Sequence, residues 1–314
     1  MLSSVAFFLV LICGYGQAET HTARELYQFP SSPYESPENV GLRANGDLLI
    51  TVTSTPTIWL LDPTQSNPLA QLLYTFPDAT ATLGITETSP DRFAVIVGNI
   101  TVATRSGTPG SFSIWSVDFT AGSDEPTVTK VAAVPHASIL NGMTHLKANP
   151  DIVLAVDTEA GNVYGVNVSS GAVEVAIPSA AFGPSGSDGI GLNGIHVDAS
   201  GNYLYFTNSF AGTFGRIPID SDGHATGNAI NIATDIAGNI FDDFVLNNQY
   251  IAYITNHPNS ITEVSQSGQE SVFYNSTTLN QPTSAILSAD GETLYVVTAG
   301  SPTTASGQVF AIDV

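Results

Sequence analysis

Cysteine is almost absent from this 314-residue chain, whose only cysteine, Cys13, lies in the apolar N-terminal segment. The remaining residues have no disulfide and no thiol, which excludes a disulfide-held scaffold and a cysteine nucleophile. Long apolar runs are also missing beyond that segment, because none reaches the roughly 20 residues that a membrane-spanning helix needs. We therefore expect a fold that is held together by its hydrophobic core and has no membrane partner.

Basic residues are scarce as well. Seven Lys and Arg against 28 Asp and Glu give a net charge of −21. Such a charge repels phosphate backbones and anionic lipids, which makes nucleic acids and membrane surfaces poor partners. The sequence has no serine elbow of the G-x-S-x-G type, no phosphate-binding loop and no dinucleotide fingerprint. We therefore expect small-molecule substrates as partners and no organic cofactor.

The N-terminal segment 1–18, MLSSVAFFLVLICGYGQA, has an apolar centre followed by small residues that end at Ala18. This pattern is typical of a secretory signal peptide cleaved after Ala18, although no Lys or Arg precedes the apolar centre. Residues 19–314 then form a single secreted domain. Three N-x-S/T sequons favour a secreted glycoprotein, with glycosylation at Asn99, Asn167 and Asn275.

Six similar segments make up most of the chain. Each has a head position, apolar residues two and four positions later, a turn and a second apolar run, and none shows a helical period. Six antiparallel units of roughly 40 to 50 residues predict an all-β fold, a six-bladed β-propeller; a β-sandwich would not require six similar copies. The segment ARELYQFP, which precedes the first copy, is predicted to complete the last blade as a closing strand. The six heads are Glu38, Leu83, Asn141, Asn193, Asp242 and Thr283.

In a propeller the innermost strands surround the central channel, so equivalent head positions form a ring at its mouth. Glu38, Asn141, Asn193 and Asp242 would bring two carboxylates and two carboxamides together, which suits a hard cation such as calcium. The glycine that follows each of the two asparagines allows a close backbone approach. The alternative is that the asparagines are turn residues and Asp242 a loop cap. Because Asp243 follows Asp242, the sequence leaves open which carboxylate faces the channel.

Several other side chains are candidates for the mouth. His257, at the end of a predicted strand, is a candidate general base, since the pKa of histidine lies near neutrality. His145 lies a few residues into its own copy, and His196, which alternates with apolar neighbours, is expected to pack between blades. The aromatic residues in connections either line the mouth or pack between blades. The candidates for substrate binding are Phe210, Phe214, Phe241 and Thr283.

The order of several motifs carries a resemblance to a known family. The segments ENVGLRANGDLLIT, LNGM, LNGIHVDASGNYLYFTNS, DDFVLNNQYIAYITNHPN and PTSAILSADGETLYVVTAG resemble the SMP-30/gluconolactonase-like propellers, in particular a secreted fungal branch that includes hetero-Diels–Alderases of secondary metabolism. The resemblance extends from about Leu26 to Val314. It implies a divalent metal held by Glu38, Asn193 and Asp242, with Asn141 contacting substrate.

This resemblance implies two activities. The first is a hetero-Diels–Alder addition between a quinone methide-type heterodiene and an apolar alkene such as a terpene, which needs positioning and polarising donors and no nucleophile. The alternative is metal-dependent lactone hydrolysis. A third reading is a non-catalytic propeller that binds a ligand. The candidate catalytic residues are Asn141, Asn193 and His257.

Overall fold

The computed structural model describes residues 21–101, 104–122, 125–182, 190–235 and 239–314, and the predicted signal peptide lies outside them. These residues form six four-stranded antiparallel sheets and two short hairpins, which confirms the all-β, six-bladed β-propeller. Residues Ser179–Ala181 form a short 3-10 turn. No helix within the described ranges is long and apolar enough to cross a membrane.

Each blade follows the chain outward from the channel, and the closing blade also takes up the first strand. The strands are β1 (Ala23–Gln28); β2 (Pro37–Leu42), β3 (Leu48–Val52), β4 (Thr57–Leu61) and β5 (Gln71–Thr75); β6 (Ala81–Ser89), β7 (Arg92–Gly98), β8 (Ile100–Thr101), β9 (Ser106–Gly107), β10 (Ser113–Asp118) and β11 (Thr127–Ala133); β12 (Leu140–His145), β13 (Ile152–Asp157), β14 (Val163–Asn167) and β15 (Val173–Ile177); β16 (Leu192–Val197), β17 (Tyr203–Asn208), β18 (Thr213–Pro218) and β19 (Ile230–Thr234); β20 (Ile240–Leu246), β21 (Ala252–His257), β22 (Ser260–Val264) and β23 (Glu270–Asn275); and β24 (Pro282–Leu287), β25 (Thr293–Thr298), β26 (Gly300–Ser301), β27 (Ala305–Ser306) and β28 (Gln308–Asp313).

The ring is closed by the N-terminal strand, as the sequence predicts. β1 pairs antiparallel with β28 and becomes the outermost strand of the sixth blade. The amide of Phe29 then donates to the carbonyl of Gly307 at 3.0 Å. Leu26 and Phe29 are buried in the apolar cluster that joins the sixth blade to the first. The last sheet is therefore built from both ends of the described chain.

The core is divided among the junctions between blades. Six clusters of buried apolar side chains each join two neighbouring blades. The inner strands β2, β6, β12, β16, β20 and β24 contact one another in turn, and β24 contacts β2. This closed contact ring confirms the inner strands that the repeat predicts.

The head of every copy lies at a β-bulge. The pairing of each inner strand with its neighbour shifts at the head, so that one extra residue of the inner strand leaves the ladder. In three blades a threonine opposite the bulge repairs the ladder: Thr51 Oγ1 accepts from the amide of Asn39 at 3.0 Å, for example. In the fourth blade Thr207 Oγ1 accepts from the amide of Gly194 at 2.9 Å, and in the fifth blade Thr255 Oγ1 donates to the carbonyl of Asp243 at 2.7 Å. The bulges release the head side chains from the regular alternation of the strands.

The glycines that follow the heads permit contact between neighbouring inner strands. A Cβ at Gly142 would collide with the carbonyl oxygen of Asn193, and one at Gly84 with that of Asn141. A Cβ at Gly194 would collide with the carboxylate of Asp243. The expected close backbone approach is thus present at successive blades.

This packing predicts that Gly142→Ala destabilises the protein by about 1 to 3 kcal/mol, because backbone atoms must move to make room for the methyl group. Gly41→Ala is the matched control on the inner strand of the first blade, where the new Cβ would meet only side-chain carbons at 3.4 Å or more. Urea unfolding measures both free energies. Equal losses for the two variants would contradict the role of close approach at Gly142.

Candidate functional site

Asn193 and Asp242, which lie on the neighbouring inner strands β16 and β20, are joined at the channel mouth by a direct hydrogen bond. The Asn193 Nδ2 donates to Asp242 Oδ1 at 2.6 Å and lies 3.0 Å from Ser209 Oγ. Both head side chains are almost fully buried, with 5% and 6% of their surface exposed. The bulges on β16 and β20 therefore bring two of the predicted site residues together.

His257 contacts the same carboxylate from the end of β21. Its Nε2 lies 2.9 Å from Asp242 Oδ2, an ion-pair distance, although the angle does not meet hydrogen-bond geometry. Burial raises the pKa of the Asp242 carboxyl, while His257 and the hydrogen bond from Asn193 counteract this shift and the charge of Asp243 adds to it. His257 thus lies at the mouth, where the sequence places it, with its ring nitrogen facing a carboxylate.

Glu38 and Asn141 form the other side of the mouth. Burial is the main cause that raises the pKa of the Glu38 carboxyl well above its usual value, and the charge of Asp242 raises it further. A hydrogen bond with Asn141 acts in the opposite direction. The Oδ1 of Asn141 is buried without a hydrogen-bond partner among the residues that the structure describes. The four polar heads therefore form two hydrogen-bonded pairs that are coupled by charge.

Asp243 faces a different part of the channel from Asp242. Its Oδ1 lies 3.0 Å from His196 Nε2, and its Oδ2 accepts from Ser284 Oγ at 2.8 Å. His196 also packs edge-on against Phe244, with ring centroids 4.8 Å apart. Asp243, His196 and Ser284 border a cavity of about 180 Å³ farther along the inner strands. Asp242 is the mouth carboxylate, and Asp243 belongs to this deeper group.

His145 lies beside the deeper group. Its Nδ1 is 3.3 Å from Thr86 Oγ1. Burial lowers the pKa of the His145 imidazole, and the electrostatic effects of Lys147 and His196 add to the shift. The neutral ring is therefore favoured at this position.

A cavity of about 160 Å³ opens at the mouth beside the heads. Glu38 and Asn141 provide its polar side, together with the hydroxyl-bearing residues Thr53 and Thr158. Its remaining wall is apolar apart from one guanidinium. A larger cavity of about 410 Å³ lies between the second and third blades and is lined by none of the heads, so we place the candidate site at the mouth. The other mouth-lining residues are Leu83, Ile100, Arg105, Ile139 and Ile190.

The structure corrects the expected aromatic rim. Phe214 and Phe241 are 2% and 0% exposed and pack in the core between the fourth and fifth blades, because that junction is filled by aromatic rings. Phe210 is 50% exposed in the turn before β18. Thr283 is also buried, and its hydroxyl donates to the carbonyl of Pro37 at 3.1 Å, which ties the sixth blade to the first. Phe214, Phe241 and Thr283 are therefore packing or ring-closing residues, not rim residues.

The carboxylate and carboxamide oxygens at the mouth are of the kinds that bind a hard divalent cation. Glu38 and Asp242 are two carboxylates that disfavour each other's charge, and the Asn141 oxygen has no partner in the described ranges. Yet no cluster of three or more His, Cys, Asp or Glu side chains arranged to hold a metal occurs among those residues. Carboxamide oxygens would have to complete the site, so the calcium expectation stays a prediction.

The three sequons differ in exposure. Asn275 is exposed, while Asn99 and Asn167 are partly buried. The Oδ1 of Asn167 accepts from the amides of Ser169 and Ser170 in a tight turn. Glycosylation and secretion remain predictions.

Two site residues were missed by sequence reasoning. Ser209, which contacts Asn193, directly follows the second strand of its blade, and the first and third blades carry the hydroxyl residues Thr53 and Thr158 at the same position. This repeated hydroxyl is the signal that could have identified Ser209. Arg105 lies in the insertion that carries β8 and β9, outside the six-fold repeat. Its only signal is that it is one of seven basic residues in an acidic chain.

The chain is similar in sequence to two fungal proteins. It is 28% identical to a protein of Sarocladium schorii that is named as a candidate hetero-Diels-Alderase, asR5. The matched region of 250 residues covers 71% of this chain and 61% of that protein. It is 31% identical to a candidate hetero-Diels-Alderase of a Phoma species. This matched region of 140 residues covers 43% of this chain and 39% of that protein. The chain thus spans less than two thirds of the length of either relative. No protein-family model matches it.

Among solved structures, the fold is similar to the calcium-binding protein regucalcin of Agrobacterium tumefaciens. The TM-score is 0.65 at 16% identity, and the match covers 93% of each chain. At this identity the likeness shows the propeller fold alone.

The charge coupling at the mouth gives a testable order of effects. Asp242→Asn should lower the pKa of Glu38, because the Asp242 charge raises that pKa more than the Asp243 charge does, and the control Asp243→Asn should lower it less. Carboxyl-detected NMR titration of Glu38 measures both shifts. Since the folded pKa is raised, Glu38 makes the free energy of unfolding fall as the pH rises from about 4.5 through that folded value. A Glu38 pKa that neither variant changes would contradict the coupling.

Proposed function

Starting from a six-bladed β-propeller that resembles fungal candidate hetero-Diels-Alderases in sequence, we propose that this protein is a hetero-Diels–Alderase. Its substrates would be an electron-poor heterodiene of the quinone methide type and an apolar alkene such as a terpene. The relatives are longer than the matched region, so the activity of this chain rests on its own mouth geometry as well as on the likeness.

The observation that carries the proposal is the two-sided mouth cavity. Leu83, Ile100 and Ile139 offer an apolar wall, and Asn141 lies on the polar side. A carboxamide has two N–H donors, so Asn141 can keep its hydrogen bond to Glu38 and donate a second one to a substrate oxygen. An apolar alkene and a polar carbonyl would thus be held on opposite sides of one small space.

This arrangement matches what the reaction requires. In a hetero-Diels–Alder addition one C–C and one C–O bond form, three π bonds become one, and no proton or leaving group is released. The protein has only to hold the partners in reacting geometry, which can supply about 7 to 11 kcal/mol, and to polarise the carbonyl oxygen. A mature chain without thiols also lacks the nucleophile that a quinone methide would alkylate most readily.

Asn141→Ala should slow the addition by about 10- to 100-fold, the loss expected for one polarising donor of 1.4 to 2.7 kcal/mol. Asn45→Ala is the matched control, because Asn45 is exposed in the turn at the opposite end of β2. The assay follows the rate and the enantiomeric ratio of the adduct of an ortho-quinone methide and a terpene alkene. A rate equal to that of the reaction without protein, together with a racemic adduct, would overturn the proposal.

Lactone hydrolysis is the second candidate, and the unpartnered Asn141 oxygen beside two carboxylates favours it. Glu38, Asn193 and Asp242 would hold a divalent cation, which would polarise the lactone carbonyl and activate water. A lactone panel assayed with and without chelator tests this activity. Lactone opening that is lost with chelator and with Asp242→Ala, without any effect on cycloadduct yield, would replace the cycloaddition proposal.

A further inference from the structure

Arg105 is the cation of the mouth cavity. It lines the same cavity as Glu38 and Asn141. A basic residue at this place is unexpected in a chain with so few of them. Its side chain is exposed, and no ion pair or hydrogen bond of Arg105 is found among the described residues. Arg43 and Arg92, by contrast, bind Asp91 and Asp118. The guanidinium at the mouth is thus available for a ligand.

The hairpin that carries Arg105 is held firmly over the mouth. β8 is fixed to the start of the second blade, because Thr80 Oγ1 accepts from the amide of Ile100 at 2.9 Å. β9 packs against the entry to the third blade so closely that a Cβ at Gly107 would collide with the carbonyl of Ser138. Arg105 itself has a φ of +49°, a left-handed conformation that is uncommon for a residue with a side chain. Its Cα position is therefore set by contacts on both sides.

The sixth blade offers a comparison within the same molecule. It carries a hairpin at the equivalent place, β26 and β27, between its second and third strands. The residues of that hairpin, 300–306, include no charged side chain. A guanidinium is therefore not a requirement of the hairpin fold.

We infer that Arg105 binds an oxyanion or a strongly polarised carbonyl oxygen of the substrate, while the apolar body of that substrate contacts Leu83, Ile100 and Ile139. A guanidinium has a planar fork of N–H donors that matches a carboxylate, phenolate or enolate oxygen. In the addition of an electron-rich alkene, the heterodiene oxygen gains negative charge in the transition state, and a cation beside it stabilises that charge. The identification of this oxygen with the heterodiene carbonyl rests on the proposed function.

The substrate class follows from this pairing. The ligand carries an acidic or vinylogous-acid oxygen at one end and a compact apolar group at the other. Inside the channel, the carboxylate of Asp242 is already faced by His257 at 2.9 Å. The Glu38 and Asp242 carboxylates disfavour an anion on their own side of the mouth, so the oxyanion binds on the side of the cavity next to Arg105.

A pair of probes that differ in charge tests the binding directly. We would titrate the protein with 4-tert-butylbenzoate and with its neutral amide, 4-tert-butylbenzamide, by calorimetry at low and high salt. The variants are Arg105→Gln, Arg105→Lys and the matched control Lys130→Gln, which removes one exposed positive charge from the outermost strand of the same blade.

We expect the wild type to bind the benzoate at least tenfold more tightly than the amide at low salt, with a smaller ratio at high salt. Arg105→Gln should remove this preference and change the amide affinity by less than twofold. Arg105→Lys should keep part of the preference, and Lys130→Gln all of it. A wild type without the preference, or an Arg105→Gln variant that retains it, overturns the inference.

A second arm separates this inference from the proposed function. In the cycloaddition assay, Arg105→Gln should lower the rate at least tenfold, while Lys130→Gln leaves it unchanged. Loss of the benzoate preference in Arg105→Gln, in a protein that accelerates no addition, would support the oxyanion site and reject the proposed function. Full cycloaddition activity in Arg105→Gln, with its benzoate affinity unchanged, would reject the inference and leave the function standing.

Discussion

The contact between the inner strands of neighbouring blades is the constraint on which the rest of this structure depends. At Gly84, Gly142 and Gly194 the strands approach so closely that a single added carbon would collide with the next strand or its head residue. The bulges at the same positions free the head side chains from the ladder. Close packing and the polar mouth are therefore two results of one local backbone arrangement.

The polar mouth has an energetic cost that the surrounding fold has to offset. Burial places the Glu38 and Asp242 carboxyls where each disfavours the ionised form of the other. Hydrogen bonds from Asn141 and Asn193 reduce this cost without removing it. The apolar clusters at the six blade junctions supply the stability that permits such a site. A ligand that binds beside these carboxyls and changes the local charge will therefore also change their pKa values.

Sequence reasoning identified the fold and most of the mouth because both follow the repeat. Equivalent positions in equivalent blades must form a ring, so the proximity of Asn193 and Asp242 follows from their places in the copies. Phe214 and Phe241 failed as rim residues because an aromatic residue next to a turn looks the same in sequence whether its ring faces solvent or a neighbouring blade. Arg105 was not found because an insertion has no counterpart in the other copies. The repeat thus predicts the positions that it shares and gives no information about the residues that interrupt it.

The pairing of β1 with β28 has a consequence for the order of assembly during synthesis. The sixth sheet contains strands from both ends of the described chain, so it cannot be finished until the ribosome has produced residues 308–313. Until then the first and fifth blades each present an uncovered flank, and β1 has no partner. Pairings this distant in sequence form slowly, and unpaired edges are prone to association with other chains. The flanks of the first and fifth blades, which the finished ring conceals, are therefore the last apolar surfaces to be covered as the chain is synthesised.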